Sequence, residues 1–450
     1  SVRANDNRMR GLLWLLPCAS AAVSLTGAHG TRRHSFVACS AVDTAPSPLC
    51  IQPFGVPKHA HLAEIAGVPA WVGIEATASA GDDGSVGDTR RLHLLPGLMR
   101  SDEISSISLA ADEFETACDT VDHQATYLCR IIDEGETVDE AAAAALQPFL
   151  EERLLPYVRQ RFGCATACVQ NMLVRRYRPD ERRRLESHFD VSSYATAIVA
   201  LSPAADYDGG LYVQRVPGVP SRRYVALEAG DCLVHQFDTM HGVHVPRGSR
   251  LSLVVWFSES PEALRSGTAP WVARAAQAGN AEAQFVLGGF LYRGEFGHAA
   301  DSRVAVRWLS RSAAQGNPLA MLHLGSMLAS GEVYTEDLPI VRSEIRGACG
   351  GEERGAEGGG GAAAAAVTDL DLAPAEPSPL ALAATLYERA AAQGHPTAEY
   401  ALGLALVRGD GVARDVPKGI MWLEKAASQG PEEVMAAGWA ADELAALRAH

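Results

Sequence analysis

The sequence has no CxxC pair, no excess of basic residues and, after its first thirty residues, no long apolar run. Its nine cysteines are scattered, so the ligand spacing typical of zinc-binding modules is absent. The formal net charge of −15 argues against general nucleic-acid binding, because neutralising phosphates requires a basic surface. Without a second long apolar run, we expect no membrane-spanning helix in the body of the chain.

The N-terminal residues show the pattern of a targeting segment. An apolar run from Gly11 to Leu25 follows a short charged start. Residues 7–42 contain no acidic side chain. This pattern is typical of a secretory signal, and the run is shorter than the roughly 20 residues of a spanning helix. We expect a signal or targeting segment at residues 1–30 and a location in the endoplasmic reticulum lumen or an organelle. A transit peptide and a one-pass anchor are the alternative interpretations.

A chain of 450 residues exceeds one ordinary core, so two or three domains are expected. Residues 31–90 mix Pro, Gly, Ser and Ala with weak periodicity, which indicates a low-complexity linker. Two helices should follow, one near Ser101 and one opening with a capping box at Thr137–Glu140. From 171 to 257 the pattern changes to short β-rich runs separated by Pro, Gly and Asp turns. Such runs without long helices between them predict a sandwich or barrel.

The C-terminal part of the sequence repeats. Four similar helical stretches end at Gly279, Gly316, Gly394 and Gly430, with spacings of 37, 78 and 36 residues: WVARAAQAG, WLSRSAAQG, LYERAAAQG and WLEKAASQG. A period of 36 or 37 with two helical stretches is typical of an α-solenoid. The interval of 78 is one period plus about forty residues, in which GGEERGAEGGGGAAAAA cannot form a core, so a disordered insertion is expected at about 343–377.

These stretches resemble Sel1-like repeats, which are relatives of tetratricopeptide repeats. The resemblance rests on the AAxQG helix ends, the Leu-Gly pairs and the segment GDGVARDVPKGIMWLEKAASQG. It implies an all-α solenoid over residues 261–450 that binds a protein partner. The alternative is an array that only solubilises or dimerises the rest of the chain.

Three residues of the β-rich region are candidate metal ligands. His188 and Asp190 form an HxD pair, whose spacing on a strand places both side chains on one face. His241, 51 residues after Asp190, adds a third ligand. Two histidines and one carboxylate leave three positions of Fe(II) open, as an O2-activating centre requires. His235 and His244 flank His241 and would be the ligands if the register were shifted.

A candidate anion clamp follows His241. Arg250 lies nine residues beyond it and Ser252 two further on. A turn at 246–249 is expected to fold the two stretches into a hairpin, with Arg250 and Ser252 on the face that carries His241. A guanidinium and a hydroxyl suit a carboxylate.

With these residues the segment from 91 to 260 resembles the prolyl 4-hydroxylase-like group of 2-oxoglutarate- and Fe(II)-dependent dioxygenases. The matching features are the HxD pair, the distal His241, the RxS at Arg250 and Ser252, and the Gly209-Gly210 turn. The resemblance implies a double-stranded β-helix, also called a cupin-like jelly roll, with flanking helices. It also implies that Fe(II) is held by His188, Asp190 and His241, with ascorbate as an expected additional cofactor.

The resemblance further implies that Arg250 and Ser252 bind the distal carboxylate of 2-oxoglutarate, and that Tyr177 contacts this cosubstrate. A packed core tyrosine is an equally good interpretation of Tyr177. The run of arginines at 175–184 is interpreted as a solvated loop, with a clamp for an acidic substrate as the alternative.

The implied activity is hydroxylation of a protein or peptide substrate, with proline as the first candidate. Lysine, a small molecule and an alkylated nucleobase are alternatives within the same enzyme class. The last is disfavoured because Leu253–Phe257 follows the clamp where nucleobase enzymes of this fold carry a further arginine. A catalytically idle binding scaffold is the alternative from another class.

Overall fold

The structure is a computed structural model that describes residues 61–65, 68–74, 92–110, 114–119, 121, 123–349, 377–430 and 434–448. The predicted targeting segment, residues 1–30, lies outside these residues. Within them, no helix combines the length and the apolar character that crossing a membrane would require.

The N-terminal half of the described chain is dominated by β-strands. These are β1 (His61–Ile65), β2 (Val68–Ile74), β3 (Leu92–Leu95), β4 (Glu115–Cys118), β5 (Ala125–Asp133), β6 (Glu136–Thr137), β7 (Cys168–Tyr177), β8 (Arg184–His188), β9 (Ala195–Ala200), β10 (Gly210–Val213), β11 (Arg223–Tyr224), β12 (Cys232–Gln236), β13 (His241–His244) and β14 (Arg250–Ser258). Helices α1 (Ser101–Ala110), α2 (Glu140–Phe149) and α3 (Leu155–Arg161) lie between these strands.

The strands form two antiparallel sheets. The larger has the order β1-β2-β3-β12-β9-β14-β7-β5-β4, with β6 beside β5, and the smaller has the order β11-β10-β13-β8. From β7 to β14 the chain passes back and forth between the sheets, so that each contributes four strands to a sandwich. This is the topology of a double-stranded β-helix, and it confirms the predicted jelly roll.

The larger sheet is covered on both faces. Alternate residues of β9 face opposite sides of the sheet, and all six are buried because both sides are covered. Ile198 and Ala200 join the apolar cluster between the two sheets, whereas Ala197 and Val199 join the cluster beneath the helices. The inner cluster therefore surrounds the space in which a jelly roll holds its site.

Two local expectations are changed by the structure. Residues 61–65 and 68–74, assigned to the linker at 31–90, form a hairpin whose second strand pairs with β3. The second helix is capped by Asp139, whose carboxylate accepts from Ala142 N at 3.0 Å, because Thr137 already belongs to β6. The helix continues through a π-helical turn at Leu150–Leu154 that follows Pro148 and separates α2 from α3.

The C-terminal half is helical. Its helices are α4 (Pro261–Ser266), α5 (Pro270–Gln277), α6 (Ala281–Arg293), α7 (Ser302–Ala314), α8 (Pro318–Ser330), α9 (Leu338–Cys349), α10 (Pro379–Ala392), α11 (Pro396–Arg408), α12 (Val416–Ala427) and α13 (Met435–Arg448). They stack as antiparallel pairs, and α10 packs directly on α8. The array is therefore continuous across the predicted insertion, of which residues 343–349 belong to α9 and 350–376 lie outside the described residues.

The Leu-Gly pairs of the repeats mark places where helices approach closely. A β-carbon at Gly288 would lie 2.9 Å from Leu309 Cγ, and one at Gly325 would lie 2.7 Å from Tyr387 Cε1. Such distances are shorter than packed carbon atoms adopt, so the glycine is required by its neighbour and not by a turn. This close packing explains the regular recurrence of the pair.

We predict that Gly325→Ala lowers the free energy of unfolding by about 1–2 kcal/mol, because overpacking against the buried Tyr387 ring outweighs the gain in helix propensity. Urea denaturation followed by circular dichroism measures this change. The control is a double-mutant cycle: in a Tyr387→Leu background, where the ring that the added methyl group meets is gone, Gly325→Ala should cost less. A Gly325→Ala protein as stable as the wild type would contradict the packing explanation.

Candidate metal centre

The two histidines of the candidate site lie side by side on the smaller sheet. His188 is the last residue of β8 and His241 the first of β13, and the two are register partners. The register shifts immediately beyond them, between His241 and Val243. The sheet therefore presents two imidazoles at one end, where its strands give way to loops.

Asp190 joins the histidines from a turn and not from the strand that the sequence pattern assumes. β8 ends at His188, and the next residues form a turn in which Ser193 N donates to Asp190 O at 2.9 Å. The carboxylate lies 3.4 Å from His188 Nε2 and 3.6 Å from His241 Nε2. One ligand atom from each of the three residues fits within 4.8 Å of the others.

The hydrogen bonds of both rings leave the same nitrogen available for a metal. His188 Nδ1 lies 2.8 Å from Glu186 O, and His241 Nδ1 lies 3.1 Å from Thr239 O. A carbonyl oxygen only accepts, so each Nδ1 carries the proton and each Nε2 has a free lone pair. Both Nε2 atoms face Asp190, which is the arrangement that a bound cation requires.

Burial and the neighbouring charges set the protonation of this site. Asp190 is 8% exposed; burial alone would raise the pKa of its carboxyl group, but His241 and His188 hold that pKa well below its usual range. Burial lowers the pKa of His241 to about 3. Burial also lowers the pKa of His188, but hydrogen bonding and attraction to Asp190 raise it above the ordinary value. The site therefore contains an ionised carboxylate beside two imidazoles, and a metal ion would compete with a proton for the Nε2 lone pair of His188.

The residues expected to clamp a cosubstrate lie on the opposite sheet and face the same cavity. In the pairing of β7 with β14, Arg250 is opposite Tyr177 and Ser252 is opposite Arg175. The side chains of these four residues therefore share one face of the larger sheet. The residues that line this cavity include Tyr177, His188, Asp190, His241, Arg250 and Ser252. All six predicted site residues are thus brought together.

The predicted hairpin between His241 and Arg250 is wrong. β13 pairs with β10 and β8 in the smaller sheet, whereas β14 pairs with β7 and β9 in the larger one. The turn at 246–249 pairs instead with the loop before β10, since Asp208 N donates to Arg247 O at 3.0 Å. Arg250 consequently faces His241 across the interior of the sandwich and not along one strand pair.

Neither rival histidine belongs to the group of three ligands that the described residues bring together. His244 pairs with Arg184, at the far end of β13, and its Nδ1 lies 3.2 Å from the Tyr224 hydroxyl. His235 lies on β12 with its ring centroid 4.4 Å from that of His241, and its Nδ1 donates to Gln236 O at 3.0 Å. It is fully buried and packs against the His241 ring.

Arg175 is a cavity residue that the sequence interpretation missed. Assigning the arginine run to a solvated loop is wrong for Arg175, which lies in β7, and for Arg182, which is buried; both contact Asp119. Asp119 Oδ2 lies 3.3 Å from Arg175 Nη1 and 3.1 Å from Arg182 Nη1. Period-two alternation from Tyr177 was the signal that would have found Arg175.

A second missed residue, Thr196, fixes the carboxylate. Its hydroxyl donates to Asp190 Oδ2 at 2.6 Å, and both residues are buried. Partners of this kind orient a ligand and hold it before the metal arrives. No spacing in the sequence points to Thr196, which is an ordinary β-branched residue of β9.

Comparison with known sequences identifies the repeats. The Sel1 repeat family matches residues 281–317, 380–395 and 396–431. The crystal structure of a Sel1 repeat protein from Oxalobacter formigenes is similar at 28% identity, covering 39% of this chain and 95% of that one, with a TM-score of 0.27. No curated protein matches the chain. The C-terminal region is therefore an array of Sel1 repeats, as its period predicts.

Solved structures are also similar to the jelly roll. An oxidoreductase of the 2OG-Fe(II) oxygenase family from Burkholderia pseudomallei is 19% identical, covering 38% of this chain and 86% of that one, with a TM-score of 0.32. A prolyl-4-hydroxylase from Pseudomonas putida is 20% identical, covering 37% of this chain and 91% of that one, with a TM-score of 0.28. The strand topology and the grouped ligands described above make this region a jelly roll with a candidate metal centre.

We predict that Asp119→Asn lowers the free energy of unfolding by about 3 kcal/mol, because two buried arginines lose their counter-charge. Burial alone would raise the pKa of Asp119, but Arg175 and Arg182 hold it below its ordinary value. Its stabilising effect is therefore present above the unfolded-state pKa of about 4 and is lost as the pH falls through the lower folded-state pKa.

Urea denaturation at several pH values measures the difference between the wild type and Asp119→Asn. The difference should be constant from pH 5 to pH 8 and should shrink below about pH 4. A difference that grows toward low pH would contradict the assignment of a lowered pKa to this carboxyl group.

Proposed function

We propose that this chain is an Fe(II)- and 2-oxoglutarate-dependent oxygenase. The observation that carries the proposal is the Arg250 side chain, which is 1% exposed in the cavity that the three ligands share. Its Nη1 donates to Ser252 Oγ at 3.0 Å, but among the described residues Nε and Nη2 have no hydrogen-bond partner. Leaving buried charged donors unpaired is costly, so an anion is the natural occupant of the space before them.

The donor set fits Fe(II). Two imidazole nitrogens and one carboxylate oxygen, grouped within 4.8 Å, form a facial triad that leaves sites open for exogenous ligands. The opposite wall fits a dicarboxylate, since Arg250, Ser252 and Tyr177 all offer donors. When bound, Fe(II) and 2-oxoglutarate would supply O2 activation, with the balance 2-oxoglutarate + O2 + R–H → succinate + CO2 + R–OH.

The residues of the chain provide binding, orientation and exclusion of water. Arg250 would bind the distal carboxylate of the cosubstrate and thereby direct its other end across the cavity toward the ligands. The charge of Asp190 offsets part of the charge of the cation. Apolar side chains of Leu185, Ile198 and Val254 line the space between the two groups, which limits water beside the reacting atoms.

We further propose that the substrate is a peptidyl residue, with proline as the first candidate. Two features support this: the resemblance of the HxD, distal histidine and RxS motifs to the prolyl 4-hydroxylase-like group, and the Sel1 repeats, a type of array that binds proteins. Lysine and small-molecule substrates would leave the same metal centre intact. Only product analysis distinguishes them.

We predict that Arg250→Gln raises the KM for 2-oxoglutarate at least about 30-fold, equivalent to ~2 kcal/mol, because a buried charged contact with the cosubstrate is lost. Succinate formation at varied 2-oxoglutarate concentration measures this. Arg247→Gln is the control, since Arg247 is highly exposed and pairs with Asp208 at the surface. Equal KM values for both variants would contradict the assigned clamp.

The activity itself is tested with the full chain, Fe(II), 2-oxoglutarate, labelled O2 and a library of proline- and lysine-containing peptides. We expect one labelled oxygen atom in succinate and one in a peptide, located by mass spectrometry. Asp190→Ala should abolish both, because the carboxylate ligand is lost. Parallel reactions without ascorbate test whether this reductant is needed.

Three outcomes would contradict parts of the proposal. Labelled lysine would exclude proline as the target. Succinate formation that is stimulated only by small molecules would exclude a peptide. A wild-type protein that binds no divalent metal and consumes no 2-oxoglutarate would overturn the oxygenase assignment and favour an idle scaffold.

A further inference from the structure

Three loops at the metal end of the jelly roll contact the repeat array. His188 ends β8 and is followed by the loop at 189–194. Val213, the register partner of His241, ends β10 and is followed by the loop at 214–222. The loop at 237–240 leads into His241. All three therefore leave the sandwich at the end that carries the ligands.

The first contact involves the residue between two of the ligands. Phe189 is 6% exposed, and its ring centroid lies 6.4 Å from that of Phe285 on α6, with the planes tilted by 58°. Phe285 is fully buried and also meets His323 of the next repeat edge-on at 5.3 Å. A side chain of the first repeat thus packs against the side chain of the residue between His188 and Asp190.

The second contact is a hydrogen bond to the loop before His241. Asn280 Nδ2 donates to Asp238 Oδ2 at 2.9 Å, while Asn280 Oδ1 accepts from Ala283 N at 2.8 Å and caps α6. Asp238 is 6% exposed and directly precedes Thr239, whose carbonyl orients the His241 ring. The start of α6 is thereby connected through one carboxylate to the position of a metal ligand.

The third contact involves the far end of the array. A β-carbon at Gly218 would lie 2.9 Å from Gln429 Oε1 and 3.4 Å from Pro396 Cγ, so the backbone of this loop lies against the last repeats. The backbone φ of +137° is itself one that other residues rarely adopt. The first and last repeats therefore both contact loops of the metal end, and one apolar cluster runs from Phe189 and Met240 into the helices.

We propose that the Sel1 array is a structural part of the metal site, in which Asn280 and Phe285 are positioning residues for the loops that hold the ligands. This inference rests on the proposed function, because it concerns the affinity and geometry of the same metal site. An array acting only as an appended binding arm would leave that site unchanged when its contacts are altered. The two possibilities therefore differ in a measurement on the metal itself.

The experiment titrates Co(II) alone into the full chain and follows its visible absorption, which reports affinity and ligand geometry without turnover. Asn280→Asp keeps the cap of α6, since a carboxylate accepts from Ala283 N equally well, but places a second negative charge against Asp238. We expect Co(II) affinity to fall about tenfold and the spectrum to change, as for altered partners of a metal ligand.

The next repeat offers a matched control. Asn317 caps α8 in the same way that Asn280 caps α6, because its side-chain oxygen accepts from Ala320 N at 3.0 Å. Asn317→Asp makes the same chemical change one repeat away and should leave Co(II) binding unchanged. Combining Asp238→Asn with Asn280→Asp reverses donor and acceptor, and should restore most of the lost affinity.

A second pair of variants tests the proposal independently if Asn280→Asp does not fold. Phe285→Leu introduces the residue type that the next repeat carries at the equivalent position, Leu322, and removes the ring beside Phe189. Phe290→Leu is its control, because Phe290 lies on the same helix, is 1% exposed and packs on Phe296 at 4.3 Å. Both should lower thermal stability to a similar degree, and only Phe285→Leu should change the Co(II) spectrum.

Wild-type affinity and spectrum in both Asn280→Asp and Phe285→Leu would overturn the proposal. Equal loss of affinity in the two control variants would also overturn it, because the effect would then reflect general destabilisation. Failure of the wild type to bind Co(II), or binding that persists in His188→Ala, would instead show that the proposed function is wrong. The two failures are thus distinguishable.

Discussion

A carboxylate buried between two imidazole rings keeps its charge only if positive charge and hydrogen-bond donors surround it. Asp190 is in this position, with Thr196 donating to one oxygen and both His188 and His241 within 4 Å. Its ionised form sets the protonation of the two rings, and their Nδ1 protons are fixed by backbone carbonyls. The loop conformations around these three residues, and the helices packed on those loops, all serve to maintain this one arrangement.

The sandwich opposes two unlike walls. The smaller sheet presents the imidazoles and the turn after β8 presents the acid, while the larger sheet presents Arg250 and Arg175. Such separation of charge needs two sheets, because one strand pair would place the cation beside the metal ligands and neutralise their attraction for a metal. The apolar residues between the walls keep the two groups from pairing directly. A molecule that is anionic at both ends and chelating at one can satisfy both walls.

The ligands could be predicted because few residue types bind Fe(II), and His188, Asp190 and His241 occur at a recognisable spacing. Arg250 could be predicted because it lies nine residues after His241 and because a guanidinium suits a carboxylate. The hairpin could not, because the turn at 246–249 shows where the chain reverses and not which sheet receives it. Asp119 and Asn280 were equally hidden. Asp119 has no pattern with the arginines it pairs with, and Asn280 is a helix cap like Asn317, whose additional contact depends on tertiary packing.

The packing of Phe285 against Phe189 limits which changes of sequence this chain can accept during evolution. A gene rearrangement that exchanged the first repeat would have to supply an aromatic side chain of the same volume, or leave Phe189 open to water. The junction between the second and third repeats does not require a particular side chain of this kind. There α10 packs directly on α8, and α9 does not lie between them. At that junction the interval between repeat ends, from Gly316 to Gly394, is 78 residues and exceeds one period. Added residues are thus tolerated between the second and third repeats, but they would disturb packing between the first repeat and the jelly roll.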